Sequence, residues 1–391
     1  MSNFLQPKDI LVTELFPGTP SGVRPQRRAP FALISLVAIA TILLAFFFAA
    51  GRAEAAPSLR KAIWGPATPQ AFNRYSQLGV GIYQMSISWA SVAATKPAQP
   101  RNPKDPAYAW LDELDTAIKL AKPRGIRVAV NITFSPRWAN GNRQRRWAPK
   151  RPADFANFVA ATVKRYPYVR YWMIWSEPSR RANFLPLARV TGKRQLSRKE
   201  QVGPRTYARI LDSGYKAVKS VNPNDFVIGG NTIPGGSIRP LRFIQAMRLP
   251  NGRPPRMDLY GHNAYSPRFP KLSRRPAAFG TADLSDFDTL ARWLDRYLGR
   301  AGRNHRLKIF VSEYSLPTSR NAVIPFWGNR RDQARYAAGA LRLTRNFERS
   351  YSLGWFQLMD QPPQRDNLEA DWGLLTWRGQ IKPAFWAFKR G

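Results

Sequence analysis

The chain is 391 residues long and carries 62 Lys and Arg against 24 Asp and Glu, a net charge of +38. Its 44% hydrophobic and 13% aromatic content can bury a sizeable core, which excludes a wholly disordered chain. The absence of Cys rules out disulfides and thiolate chemistry, and with only His262 and His305 no metal centre or other cofactor is expected.

The charge alone admits anionic lipid, nucleic acid or acidic polysaccharide as partners, or simply a basic solvated surface. Lys and Arg are spread along the chain rather than gathered in a tail, so no specific nucleic-acid partner is expected. Residues 1–30 are polar, with Arg27-Arg28 near their end. Phe31 to Ala50 then runs without a charge, with only Ser35 and Thr41 polar, and about 20 such residues cross a bilayer as a helix. The basic pair ahead of it predicts that everything beyond is exported. Ala53-Glu54-Ala55 offers a signal-peptidase site, so a cleaved signal and a retained anchor on the outer face of the plasma membrane both stand. The leader spans 1–56, and 57–391 form one folded domain, expected to be monomeric.

Beyond Ser58, short apolar runs alternate with amphipathic stretches, the pattern of βαβ units around a parallel sheet. Strands are predicted at Lys61–Gly65, Gly81–Ser88, Val128–Phe134, Tyr171–Ser176, Phe226–Gly230, Met257–His262, Lys308–Ser312 and Gly354–Met359. Helices fall between them, for instance at Trp110–Ala121, Asp154–Arg165, Tyr207–Val221, Phe287–Leu298 and Asp332–Phe347, and Lys382–Lys389 closes the ring. Such a series fits an α/β fold of the (β/α)8 barrel type. An open doubly wound sheet would want a phosphate-binding Gly turn, and neither G-x-G-x-x-G nor a P-loop occurs.

Reactive side chains of such barrels sit at the C-terminal ends of strands. The fourth strand ends in Trp175-Ser176-Glu177-Pro178, where Pro178 predicts extended backbone at Glu177. The seventh ends in Ser312-Glu313-Tyr314. Two strands ending alike, three units apart, put facing carboxyls across the mouth, as cleavage of a glycosidic bond requires: one donates a proton to the departing oxygen, the other meets the oxocarbenium-like carbon. A plain loop carboxylate is the structural alternative for each, solvated or, for Glu177, paired with nearby Arg180 or Arg181. His262, at the end of the sixth strand, is either a hydrogen-bonding group near the carboxylates or a satisfied structural histidine. Trp355, on the eighth, is either the floor of a sugar subsite or core.

With Ser135-Pro136-Arg137-Trp138-Ala139 after strand three, His262 to Tyr265 at strand six, and Gly373-Leu374-Leu375 through Lys382-Pro383-Ala384-Phe385 at the close, these motifs resemble those of retaining glycoside hydrolases. The clan is the large (β/α)8 one that includes the cellulase-like family 5 and the xylosidase-like family 39. The likeness covers about Leu59 to Phe388. It implies Glu177 as general acid/base, Glu313 as nucleophile, and Tyr265 as a hydrogen-bond partner of that nucleophile. It also places Ser176, His262, Trp138 and Trp355 at the substrate, an extracellular poly- or oligosaccharide. Ser176 stands where the clan has an Asn that bonds the sugar 2-hydroxyl, so this contact is expected to be weaker or differently placed. The basic stretch from Arg180 to Arg205 is expected to overhang the mouth and favour an acidic glycan. Two other functions share these features: a carbohydrate-binding barrel without turnover, and a basic surface protein that holds anionic polymers.

Overall fold

The computed structural model describes residues 59–273, 275–299, 306–320, 326–362 and 371–391. The leader with its apolar segment 31–50, and His305, lie outside them. Among the described residues no helix is long and apolar enough to cross a membrane.

Eight parallel strands close into a barrel in sequence order. They are β1 (Arg60–Trp64), β2 (Ile82–Ser88), β3 (Arg127–Thr133), β4 (Tyr171–Ile174), β5 (Phe226–Thr232), β6 (Leu259–Asn263), β7 (Lys308–Tyr314) and β8 (Ser350–Trp355). The ring closes where Ala62 of β1 pairs with Gly354 of β8. Apart from β1, where only Ala62 and Ile63 are buried, each strand is nearly continuous in buried residues because both faces are covered, one by the barrel interior and one by helices. Ala62, Ile82, Met173, Ile228, Leu259 and Phe310 fill the interior, and the hydroxyls of Tyr171 and Tyr351 meet there at 2.8 Å.

The helices of the outer layer are α1 (Pro69–Gln77), α2 (Trp89–Val92), α3 (Asp112–Ala121), α4 (Arg137–Asn140), α5 (Pro152–Arg165), α6 (Val202–Val221), α7 (Pro240–Ala246), α8 (Phe287–Tyr297), α9 (Arg330–Asn346) and α10 (Pro383–Arg390). Their starts are written in local chemistry. Thr68 caps α1 by accepting from the Ala71 N–H, and Asn329 and Asp332 form a reciprocal capping box at α9. Pro69, Pro152, Pro240 and Pro383 occupy first helical turns, where a missing N–H costs nothing. The expected strand at Gly354–Met359 is displaced: β8 ends at Trp355, and Phe356 to Met359 leave the sheet. Their apolar character comes from packing in the following loop, where Met359 bridges to Leu375.

Candidate active site

Glu177 and Glu313 both lie at the C-terminal ends of their strands. Glu177 follows β4 and is 6% exposed, while Glu313 is the penultimate residue of β7 and is half-buried. Glu177 is not extended: its φ of +45° lies in the left-handed region, despite the following Pro178. Tertiary contacts override the local rule here, because three donors close on the carboxyl. Asn263 Nδ2 donates to Oε1 at 3.0 Å, and Oε2 receives Arg180 Nη1 at 2.5 Å and Asn183 Nδ2 at 3.2 Å.

Asn263 joins the two strand ends. Its register against β7 shifts beside it, so that it pairs with Glu313, and its Oδ1 accepts from the Ser312 hydroxyl. Tyr265 donates its hydroxyl to Glu313 Oε2 at 2.9 Å, which sets the orientation of that carboxylate. Arg180 feels both acids: burial works against its charge, but Glu177, with Glu313 and Tyr265 behind it, holds its pKa above the usual arginine value. A guanidinium therefore shares this space with the two carboxylates, and Glu177 is paired with one of the two nearby arginines that its structural alternative named.

An aromatic wall stands beside Glu313. Trp64 at the end of β1 donates its indole N–H to the Ser312 carbonyl at 2.8 Å, and Phe356 packs edge-on to Trp64 and to Trp372. Trp372 in turn meets the Tyr265 ring at 5.1 Å. These rings, rather than Trp355, line this side. Trp355 is fully buried on the outer face of the barrel: it pairs in register with Ile63 and Tyr314 and packs on Phe388 of α10. It belongs to the core, and the displaced strand explains the error, since Phe356 is the next residue along.

His262 also faces outward. One ring nitrogen meets the Thr232 hydroxyl and the other the Ala282 carbonyl, both at 2.9 Å, and burial pushes its pKa down to about 4. It is the satisfied structural histidine; both nitrogens are used within the barrel wall. Trp138 lies in α4, half-buried, with its N–H on the Ala93 carbonyl and its ring edge-on to Trp89. Ser176 is half-buried between Trp175 and Glu177. Within the basic stretch 180–205, Arg181 bonds the Leu187 carbonyl, Arg194 pairs with Glu200, and Arg205 bonds Gln201. Asn263, Asn183, Trp64 and Trp372 were not singled out from the sequence. Only Asn263 had a signal there, as the polar neighbour of His262 in a strand-end run.

No protein-family model and no curated protein matches the sequence. Solved structures do match in fold. A family 39 glycoside hydrolase from Bacteroides cellulosilyticus WH2 is similar with a TM-score of 0.61 at 17% identity, over 85% of this chain and 63% of that one. A monomeric β-xylosidase from Caulobacter crescentus CB15 gives 0.54 at 16%, over 85% and 67%. The family 39 enzyme from Xanthomonas axonopodis pv. citri gives 0.54 at 16%, over 85% and 66%. This chain thus spans about two thirds of the length of the structures it matches. The fold is the (β/α)8 barrel of those glycoside hydrolases.

Proposed function

We propose that the chain is a retaining glycoside hydrolase, exported by its leader, that cleaves O-glycosidic bonds of an extracellular poly- or oligosaccharide by double displacement. The observation that carries this reading is the pair Glu177 and Glu313 at the ends of β4 and β7, joined through Asn263 and Ser312, with Tyr265 orienting Glu313. The fold likeness to glycoside hydrolases supports it.

In the first step Glu177 gives its proton to the glycosidic oxygen as the C–O bond breaks, and Glu313 bonds the anomeric carbon. In the second, Glu177 takes a proton from water, whose oxygen attacks that carbon and releases Glu313. Arg180 must part from Glu177 before the first step, because a carboxylate held in an ion pair has no proton to give. Glu177→Ala is expected to cost about 10²–10⁴ in turnover on substrates with poor leaving groups, and far less on dinitrophenyl glycosides, which need no acid. Glu313→Ala is expected to lose turnover on both. A uniform loss across leaving groups for Glu177→Ala, or unchanged rates for Glu313→Ala, would overturn the assignment.

A further inference from the structure

The loop after β3 opens onto a cavity of about 800 Å3, a volume in the range of ligand sites. Phe134 and Ser135 at the end of β3, Arg137, Arg145 and Arg146 beyond them, and Ala182 from the loop that carries Glu177 form its wall. No Asp or Glu lines it, and among the described residues none of these three arginines has a carboxylate partner. Some arginines elsewhere have carboxylate partners, and many exposed ones, Arg253 and Arg296 among them, have none among the described residues. Arg256 grips Asp212, Arg268 grips Asp283 and Asp286, and Arg349 grips Asp295. In the cavity, Arg145 lies 4.5 Å over the Phe134 ring, which fixes its direction. Arg146 has one long bond, 3.4 Å, to the Arg181 carbonyl, and its buried Nε has no hydrogen-bond partner, nor does the buried Ser135 hydroxyl.

Three forked cations without anions, two of them exposed and all lining one cavity, are complementary to carboxylates carried on a chain. We propose that the substrate is an anionic glycan whose uronate carboxylates seat on Arg137, Arg145 and Arg146 while one of its bonds lies between Glu177 and Glu313; this rests on the hydrolase reading. A carboxylate bound at this end of the β4 loop also offers Arg180 a partner other than Glu177.

The test is titration calorimetry on the full chain carrying Glu313→Gln. The probes are a hyaluronan hexasaccharide and an alginate hexamer, each against its carboxyl-reduced counterpart, at two ionic strengths. At least one acid form is expected to bind about tenfold or more tighter than its reduced form, and Arg137→Ser/Arg145→Ser to remove about tenfold or more of that affinity. Arg292→Ser/Arg296→Ser makes the same charge change on exposed positions of α8 and is expected to leave Kd unchanged. Failure of both acids to bind, equal affinity for acid and reduced forms, or equal losses in the two double variants would overturn the proposal. Dextran sulfate bound as tightly as the uronates and unaffected by Arg137→Ser/Arg145→Ser would overturn it as well. Wild-type cleavage of a neutral glycan, unchanged by Arg137→Ser/Arg145→Ser, would remove the acidic substrate and keep the hydrolase. Uronate preference with no glycan cleaved would do the reverse.

Discussion

Lys382, the residue before α10, is the place where fold and site are tied together most directly. Its side chain is 1% exposed and faces Asp360, whose side chain is 5% exposed. Nζ donates to Asp360 Oδ1 at 2.8 Å, to the Thr318 hydroxyl at 3.2 Å and to the Asp371 carbonyl at 3.4 Å; Asp360 Oδ1 also accepts the Gly373 N–H at 2.7 Å. Burial pushes the Asp360 carboxyl up and the Lys382 amine down, so desolvation of each group outweighs their attraction. Such a pair adds little over an apolar replacement, yet breaking it is costly, because a buried charge is left behind. Lys382→Met is therefore expected to destabilise the domain by about 3–5 kcal/mol. Lys382→Met/Asp360→Asn is expected to be no less stable than either single variant, a coupling of about 3 kcal/mol or more. Urea denaturation at pH 7, followed by tryptophan fluorescence on all four proteins, measures both quantities. Because Gly373 follows Trp372, which packs on Tyr265, turnover of Lys382→Met is expected to fall as well. A single-variant loss under about 1 kcal/mol, or single losses that sum to the double within about 0.5 kcal/mol, would refute the reasoning.

Two further outcomes follow from buried groups. His262, with its folded pKa lowered from 6.5 to about 4, binds its proton only in the unfolded chain over that window. Stability is therefore fully present above pH 6.5 and falls as pH drops toward 4, by about 3 kcal/mol in all. His262→Gln should lack that increment in the difference between pH 7 and pH 4.5 unfolding curves; an identical pH dependence would contradict it. At Gly354 a Cβ would stand 2.2 Å from the Ser312 carbonyl oxygen and 2.7 Å from Gln84 Nε2, inside the barrel and next to Glu313. Gly354→Ala is expected to cost about 1–3 kcal/mol by the same denaturation assay and to lower turnover, and a change within about 0.5 kcal/mol would show that β7 yields freely.

The barrel was legible because its code is local. Apolar runs of strand length, alternating with amphipathic helices, named each strand, and seven of the eight fell within two residues of place at their starts. The eighth slipped because Trp355 to Met359 is as apolar as a strand but belongs half to the core and half to a loop; only the pairing of Ile63 and Tyr314 with Trp355 distinguishes them. Helices α1 and α7, whose starts Pro69 and Pro240 mark, were not among the helical stretches named as examples. At the site, Glu177 and Glu313 could be found as polar breaks at strand ends. Arg180 could be named as a nearby ion-pair partner of Glu177, but Asn183 could not, because its approach to Glu177 depends on how a loop of irregular backbone folds back on itself.

That backbone also accounts for the failure of the pre-proline rule at Glu177. Phe134, Trp175, Glu177 and Asn231 all have positive φ, at +62°, +66°, +45° and +42°, and all lie at the C-terminal ends of β3, β4 and β5. Each such conformation costs about 1–3 kcal/mol and persists only where surrounding contacts over-determine it. Those contacts are present: the Trp175 carbonyl accepts from Asn231 Nδ2 at 2.8 Å, and its indole N–H holds the Asn183 carbonyl at 3.0 Å. Asn183 then reaches Glu177 through its amide. Asn231 and Asn183 thus fix Trp175, and Trp175 and Asn183 fix the direction of Glu177, so the strain at this rim and the aim of the carboxyl have one physical cause. A reading from local propensity fails here because side chains from β5 and from the loop after β4, remote in sequence from one another, decide the conformation.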